Sequence, residues 1–319
     1  MAGSSFFQKR GNLVFLALLC TFLWGCCFPL IKLNYEYFMI ASSDIGSKIL
    51  LAGLRFLLSG LIVLSVVLLR AKHQKPPFSI KTIRSILILC IFQTVLHYGF
   101  TYIGLANTTG AKGAVLKELS TFIIILAAPV FYRDSHFGKK ELLGCGFGLL
   151  GIAVMNIGSD MNVSFGLLGE GFVLLAAVSV ATAYLFSKLL LRDEDPVFIT
   201  GCQQLLGGII LTLIGWTGNG AISAVSLKGV TALLLLSIAS SVAYVVWMLL
   251  LKFNELSKVS IFGLGTPIFG TLTSGLFLRE NIFIPKNMLA LLLVCLGIVI
   301  INYHEKNSYR SISRMSDRV

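Results

Sequence analysis

Long apolar runs, broken by short polar stretches, fill almost the whole chain. A membrane-crossing helix needs about 20 mainly apolar residues. Ten segments qualify: 12–32, 47–70, 83–104, 111–132, 139–158, 166–190, 197–216, 228–252, 258–278 and 285–303. The pattern predicts an all-α membrane protein of ten transmembrane helices. Most connections are too short for a separate soluble domain; the longest are 33–46 and 71–82, and the tail 304–319 is polar.

The polar positions inside these runs are few. The fourth segment carries Lys117 and Glu118 side by side, about seven residues or roughly 10 Å from its start. An ionisable side chain at depth costs roughly 2.5–3.5 kcal/mol and faces a protein interior or a water-filled space. Lys117 has the alternative of snorkelling to the interface; a glutamate reaches less far. Arg55 lies at a similar depth in the second segment and needs an anionic partner. Glu118 is the membrane-embedded carboxylate at that level, so Arg55 and Glu118 form the expected structural charge pair. Pro129 and Pro267 are the expected hinges. Gln203 and Gln204 are expected to satisfy each other or nearby backbone groups, and Asp193-Glu194-Asp195 to form a solvated turn.

Composition agrees with the pattern. Hydrophobic residues make up 56% of the chain and charged residues 13%, which excludes an ordinary soluble domain. The net charge of +12 raises nucleic acid as a partner, but no basic run lies on a soluble element, and that partner is excluded. With the N-terminus inside, 18 of the 26 Lys and Arg residues fall on the cytoplasmic side, which predicts both termini in the cytoplasm. The first apolar run follows Lys9-Arg10 without a convincing cleavage site and is read as a retained helix. The seven cysteines lie inside the apolar runs without ligand spacing and read as packing residues. No nucleophile–base set, paired-acid site, metal cluster or phosphate loop appears, so neither an enzyme, a cofactor nor a metal site is expected.

The chain repeats itself. Leu150-Gly151-Ile152-Ala153-Val154-Met155-Asn156 matches Leu296-Gly297-Ile298-Val299-Ile300-Ile301-Asn302 at a shift of 146. The same shift superposes Arg133-Asp134 on Arg279-Glu280, Lys112 on Lys258 and Tyr98 on Tyr244. A shift of 148 places Leu57-Leu58-Ser59-Gly60 on Leu205-Leu206-Gly207-Gly208. Each copy holds five segments: 1–160, then 161–303, with 304–319 as a cytoplasmic tail. An odd number of spans makes the second copy enter from the opposite side, the inverted-repeat architecture of secondary transporters.

Phe22-Leu23-Trp24-Gly25, Leu54-Arg55-Phe56, Thr266-Pro267-Ile268-Phe269, Arg279-Glu280 and the Leu-Gly-Ile endings of segments 5 and 10 resemble the drug/metabolite transporter superfamily, in its EamA-type branch. The likeness covers roughly residues 12–303. It implies a central cavity lined by segments 1, 3, 4, 6, 8 and 9 and transport of small metabolites, often outward. The substrate-binding candidates are therefore Trp24, His97, Tyr98, Tyr102, Lys117, Glu118, Tyr184, Tyr244 and Trp247. Two departures stand out: Thr121 where the second copy has Pro267, and Asp134 where it has Glu280. The expected activity is export of small metabolites such as amino acids by alternating access, in a bacterial cytoplasmic membrane. The expected partners are a small-molecule substrate, the lipid bilayer and a proton as coupling ion, in a monomer or homodimer. Alternatives are an importer or lipid-linked-sugar flippase of the same fold, or a non-transporting scaffold or sensor.

Overall fold

The computed structural model describes residues 2–41, 43–70, 79–107, 110–132, 138–155, 166–222, 224–278 and 285–302, which contain helices and no strand. A short α1 (Ala2–Gln8) precedes α2 (Arg10–Tyr37) and α3 (Ile45–Arg70). Helix α4 (Ile80–Leu89) runs through a π-helical stretch, Cys90–Leu96, into α5 (His97–Ala106). Then come α6 (Gly110–Phe131) and α7 (Lys139–Met155). A second π-helical turn, Leu167–Gly171, opens α8 (Phe172–Leu190), followed by α9 (Pro196–Thr217) and α10 (Leu227–Phe253). Helix α11 (Leu256–Ser260) passes through a 3-10 turn, Ile261–Leu264, into α12 (Gly265–Leu278), and α13 (Pro285–Asn302) ends the described chain.

Among the described residues, seven helical stretches are long and apolar enough to cross a membrane: Arg10–Tyr37, Ile45–Leu69, Ile80–Gly104, Leu167–Leu190, Pro196–Thr217, Leu227–Phe253 and Leu256–Phe277. The protein is a multi-pass membrane protein. The remaining three expected segments carry α6, α7 and α13. Large apolar side chains such as Phe15, Leu68, Leu69 and Val130 are well exposed on the outside of the bundle, the surface that lipid tails cover.

Polar side chains cap the helices where the apolar runs end. Ser79 and Thr82 form a capping box at the start of α4, Asp195 precedes Pro196 at the start of α9, and Ser226 accepts from the Gly229 N–H of α10. Each cap satisfies a backbone donor the helix leaves open.

Glycine decides the tightest seam. Gly53 and Gly60 of α3 face Thr212 and Leu205 of α9, and Gly208 and Gly215 of α9 face Leu57 and Leu50 of α3. A Cβ at any of the four would penetrate the facing backbone. A spacing of seven keeps these glycines on one face of each helix, so two backbones can approach closely. Elsewhere α2 packs on α10 and α12, α8 packs on α5 and α6, and α7 packs on α13. Exchanging the two halves maps this pairing onto itself.

Prolines act differently from one another. Pro29, inside α2, removes the N–H that would bond the Gly25 carbonyl; Thr273 Oγ1 of α12 lies 3.2 Å from that carbonyl and 2.8 Å from the Phe269 carbonyl of its own helix. Pro129 lies near the end of α6. Pro267 sits in the first turn of α12, where a missing N–H costs nothing, and the break in the helix is the 3-10 turn before it.

Some local expectations change. Gln203 accepts from Thr94 at 2.7 Å and Gln204 from Ser59 at 2.8 Å, so the two amides serve different neighbours. The turn at 193–195 is an anchor: Glu194 accepts from Thr82 at 2.9 Å, and Lys252 donates to the Glu194 carbonyl at 2.6 Å. Asp134 and Glu280 lie outside the described residues, as does the tail 304–319.

Candidate functional site

The seam between α3 and α9 leaves the other face of α3 turned toward α2, α5 and α10. Arg55 projects from that face and is 2% exposed. Its Nε donates to Ser240 Oγ of α10 at 2.7 Å, and Nη2 donates to Cys27 Sγ of α2 at 3.2 Å. The guanidinium carbon lies 5.1 Å from the ring centre of Phe56 and 5.8 Å from that of Tyr98. Ser240 and Cys27, and not Glu118, are its hydrogen-bond partners among the described residues.

Aromatic rings surround this cation. Phe56 packs against Tyr98 at 4.4 Å and against Tyr244 at 6.1 Å between ring centres. Trp24 meets Tyr244 edge-on at 5.4 Å and Trp247 at 5.0 Å, and Trp247 continues to Tyr184 at 6.1 Å. The Tyr98 and Tyr244 hydroxyls are hydrogen-bonded at 2.8 Å. These two tyrosines occupy equivalent places in the repeat, so the halves meet at this bond. Tyr102 completes the wall, buried in one cluster with Phe56 and Tyr244, against which Tyr35 packs. The indole N–H groups of Trp24 and Trp247 are buried without an acceptor among the described residues.

Helix α6 brings the remaining charges. Glu118 is buried and Lys117 half-buried. Lys117 lies in electrostatic range of Glu118, Arg55 and His97, and Glu118 in range of Tyr184. His97 Nδ1 donates to the Ala176 carbonyl at 3.2 Å; a carbonyl only accepts, so the hydrogen is on Nδ1. The His97 ring also packs edge-on to Tyr98 at 4.7 Å between centres.

All nine substrate-binding candidates thus belong to one connected constellation built from α2, α5, α6, α8 and α10. Sequence reasoning missed Cys27, Tyr35, Phe56, Ser240 and Gln93. Phe56 had a signal, its place beside Arg55. Tyr35 was lost because α2 runs to Tyr37, five residues beyond the expected end. Gln93 is fully buried in the π-helical stretch with neither amide atom hydrogen-bonded among the described residues, a position that an apolar run does not reveal. What the arrangement offers chemically is apolar ring surface, spare donors and a concentrated positive charge, with one carboxylate nearby.

Comparison with known proteins places the fold and the family. A chloroplastic WAT1-related protein of Arabidopsis thaliana is 27% identical over 267 residues, covering 80% of this chain and 63% of its own length. The chain therefore spans less than two thirds of that relative. A protein of Salmonella typhimurium named a probable amino-acid metabolite efflux pump is 23% identical over 283 residues, covering 84% of this chain and 87% of its own. A crystal structure at 17% identity matches with a TM-score of 0.69 over 89% of this chain and 97% of the other, which shows the same fold. The model of the EamA-like transporter family matches twice, over residues 12–157 and 167–303. Matched across both halves, the chain belongs to the EamA-like transporter family, within the drug/metabolite transporter superfamily, and is a membrane transporter rather than an enzyme.

Proposed function

We propose that this protein is a secondary transporter that exports small metabolites such as amino acids by alternating access. Its ten spans form two inverted five-helix repeats, 1–160 and 161–303, with both termini and the tail 304–319 in the cytoplasm of a bacterial cell. The observation that carries this reading is the Tyr98–Tyr244 hydrogen bond, 2.8 Å long, between equivalent residues of the two halves. Such a bond supports a site on the line between the repeats, where inverted-repeat carriers hold their substrates. The self-consistent pairing of helices supports it, and so does the name of the Salmonella relative.

Trp24, His97, Tyr98, Tyr102, Lys117, Glu118, Tyr184, Tyr244 and Trp247 line the substrate path. Glu118 balances Arg55 and Lys117 across the site and takes up the coupling proton. Pro129 and Pro267 sit at the hinges of α6 and α12, and the carrier works as a monomer or homodimer in the bilayer.

The test is a metabolite panel measured for counterflow in proteoliposomes. Amino acids are expected to exchange, and Glu118→Gln is expected to keep exchange while losing dependence on a proton gradient. A panel without any exchanging metabolite would sink the carrier reading. A reporter fused after Val319 is expected to read cytoplasmic.

A further inference from the structure

We infer that Arg55 docks the carboxylate of the substrate, so that the site selects organic acids and zwitterions with an apolar body over amines and amides of the same shape. This deepens the carrier reading above and rests on it.

A guanidinium carries five N–H donors and no acceptor. Arg55 uses its Nε on Ser240 and its Nη2 on Cys27, while Nη1 makes no hydrogen bond among the described residues. Neither partner brings a negative charge. Ser240 Oγ donates onward to the Leu236 carbonyl at 2.7 Å, and Cys27 Sγ to the Leu23 carbonyl at 3.2 Å. A guanidinium 2% exposed is thus held by two neutral groups and two ring faces. Such a charge is stable when an anion is brought to it.

The unfilled valences beside it have the same sign. Trp24 and Trp247 each bury an indole N–H without an acceptor among the described residues, and Trp24 touches Tyr244, which packs on Phe56 next to Arg55. Lys117 adds a second cation within electrostatic range of Arg55, and Glu118 lies within electrostatic range of Lys117 and Tyr184. The spare guanidinium and indole donors beside a buried cation call for a group that only accepts. A carboxylate has two oxygens and about four lone-pair sites, and it meets an Arg fork through two parallel hydrogen bonds. An amine would add donors to donors and a like charge to Arg55. The rings of Phe56, Tyr98, Tyr244 and Trp24 then take the apolar body of the same molecule.

The experiment titrates the purified full chain by tryptophan fluorescence with 3-phenylpropionate, L-phenylalanine, L-phenylalaninamide and phenethylamine. The acids are expected to bind about tenfold or more tightly than the amide and the amine, since a buried polar site rejects an analogue lacking its partner. Arg55→Gln is expected to bring all four within about twofold, and Arg55→Lys to keep part of the preference, because a point charge replaces the fork. If Arg55→Gln does not fold, the acid-to-amide ratio in the wild type and in Arg55→Lys decides. Equal binding of acid and amide in the wild type overturns the inference. So does an undiminished acid preference in a folded Arg55 variant, or no binding of either acid. Counterflow of the same compounds separates the two readings. Amines exchanged without acids leave the carrier standing and remove the Arg55 role. Acids bound through Arg55 but never exchanged keep the docking site and remove the carrier.

Discussion

The two halves of this chain share a frame and part ways at the site. Where the first half has Lys117-Glu118, the second has Gly263-Leu264; where the first has Arg55, the second has Gln203. Gly263 lies in the 3-10 turn with Thr121 of the first half against it, and Leu264 is fully buried against Gly148. At the α3–α9 seam, by contrast, both halves keep glycines at a spacing of seven. Duplication therefore preserved the packing, and the embedded charge stayed in one copy. The second half contributes packing, Ser240 and the three aromatic residues Tyr184, Tyr244 and Trp247, while the first supplies Arg55, Lys117 and Glu118.

The largest effect is expected from forcing the halves to agree. Leu264→Glu puts a carboxylate at a fully buried position with apolar neighbours. An uncompensated buried charge costs about 3–5 kcal/mol, so the variant should lose most of its monodisperse yield and melt well below the wild type in detergent. A wild-type melting temperature would mean that the second half tolerates the charge and that packing does not enforce the asymmetry.

Next comes the seam that the halves share. Gly208→Leu and Gly60→Leu each drive a side chain into the facing backbone. Overpacking of this kind costs about 1–3 kcal/mol or more. Gly146→Ala is the contrast: no atom lies within 4 Å of a Cβ there, and alanine favours helix over glycine by up to about 1 kcal/mol. Its melting temperature should equal or slightly exceed that of the wild type. Gly144, Gly146, Gly148 and Gly151 all lie in the glycine-rich α7. Gly151 does pack closely, with the Ala290 carbonyl 2.8 Å from where its Cβ would be; Gly146 does not.

What was legible in the sequence, and what was not, follows from the range of each signal. Apolar run length and the shift of 146 are one-dimensional, and they gave the helices and the Tyr98–Tyr244 correspondence. The partners of Arg55 were hidden because Ser240 is 185 residues away in another helix and carries no charge. Electrostatic reasoning looks for a carboxylate and passes over a serine and a cysteine. The π-helical stretch Cys90–Leu96 was hidden because its composition is that of any apolar helix. Its extra backbone width appears only when Thr94 is seen against Gly207 and Gln203 of α9.

A smaller effect tests the contact where the halves meet. Tyr98→Phe and Tyr244→Phe each remove one hydroxyl of the 2.8 Å pair. A hydrogen bond between neutral groups contributes about 0.5–1.5 kcal/mol net. The double variant should therefore cost less than the sum of the two single variants, by an amount in that range. Strict additivity in a double-mutant cycle of melting free energies would show that the two hydroxyls do not depend on each other.

The smallest effect concerns how each half starts its seam helix, because both do so with an aspartate. Asp195 accepts from the Val197 N–H at 2.9 Å at the start of α9. Asp44 accepts from the Ser47 N–H at 2.9 Å and from Ser47 Oγ at 2.6 Å at the start of α3. Ser47 Oγ also lies 2.8 Å from the Ala221 carbonyl and accepts from the Ala221 N–H at 2.9 Å, so the Asp44 cap is tied to the loop after α9. The Ser47 hydroxyl and N–H hold the Asp44 carboxyl below its ordinary range. A carboxyl depressed in the folded state adds stability above its unfolded pKa, and that stability fades as pH falls through the folded value. Stability should thus decline as pH drops below about 4, the ordinary range of an aspartate. Asp44→Asn should remove that component of the decline, and Asp44→Ala should cost about 1 kcal/mol at neutral pH, as lost caps do. The check is a pair of melting curves against pH. If Asp44→Asn follows the wild type throughout, the carboxylate adds nothing as a charge, and the cap holds α3 through hydrogen-bond geometry alone.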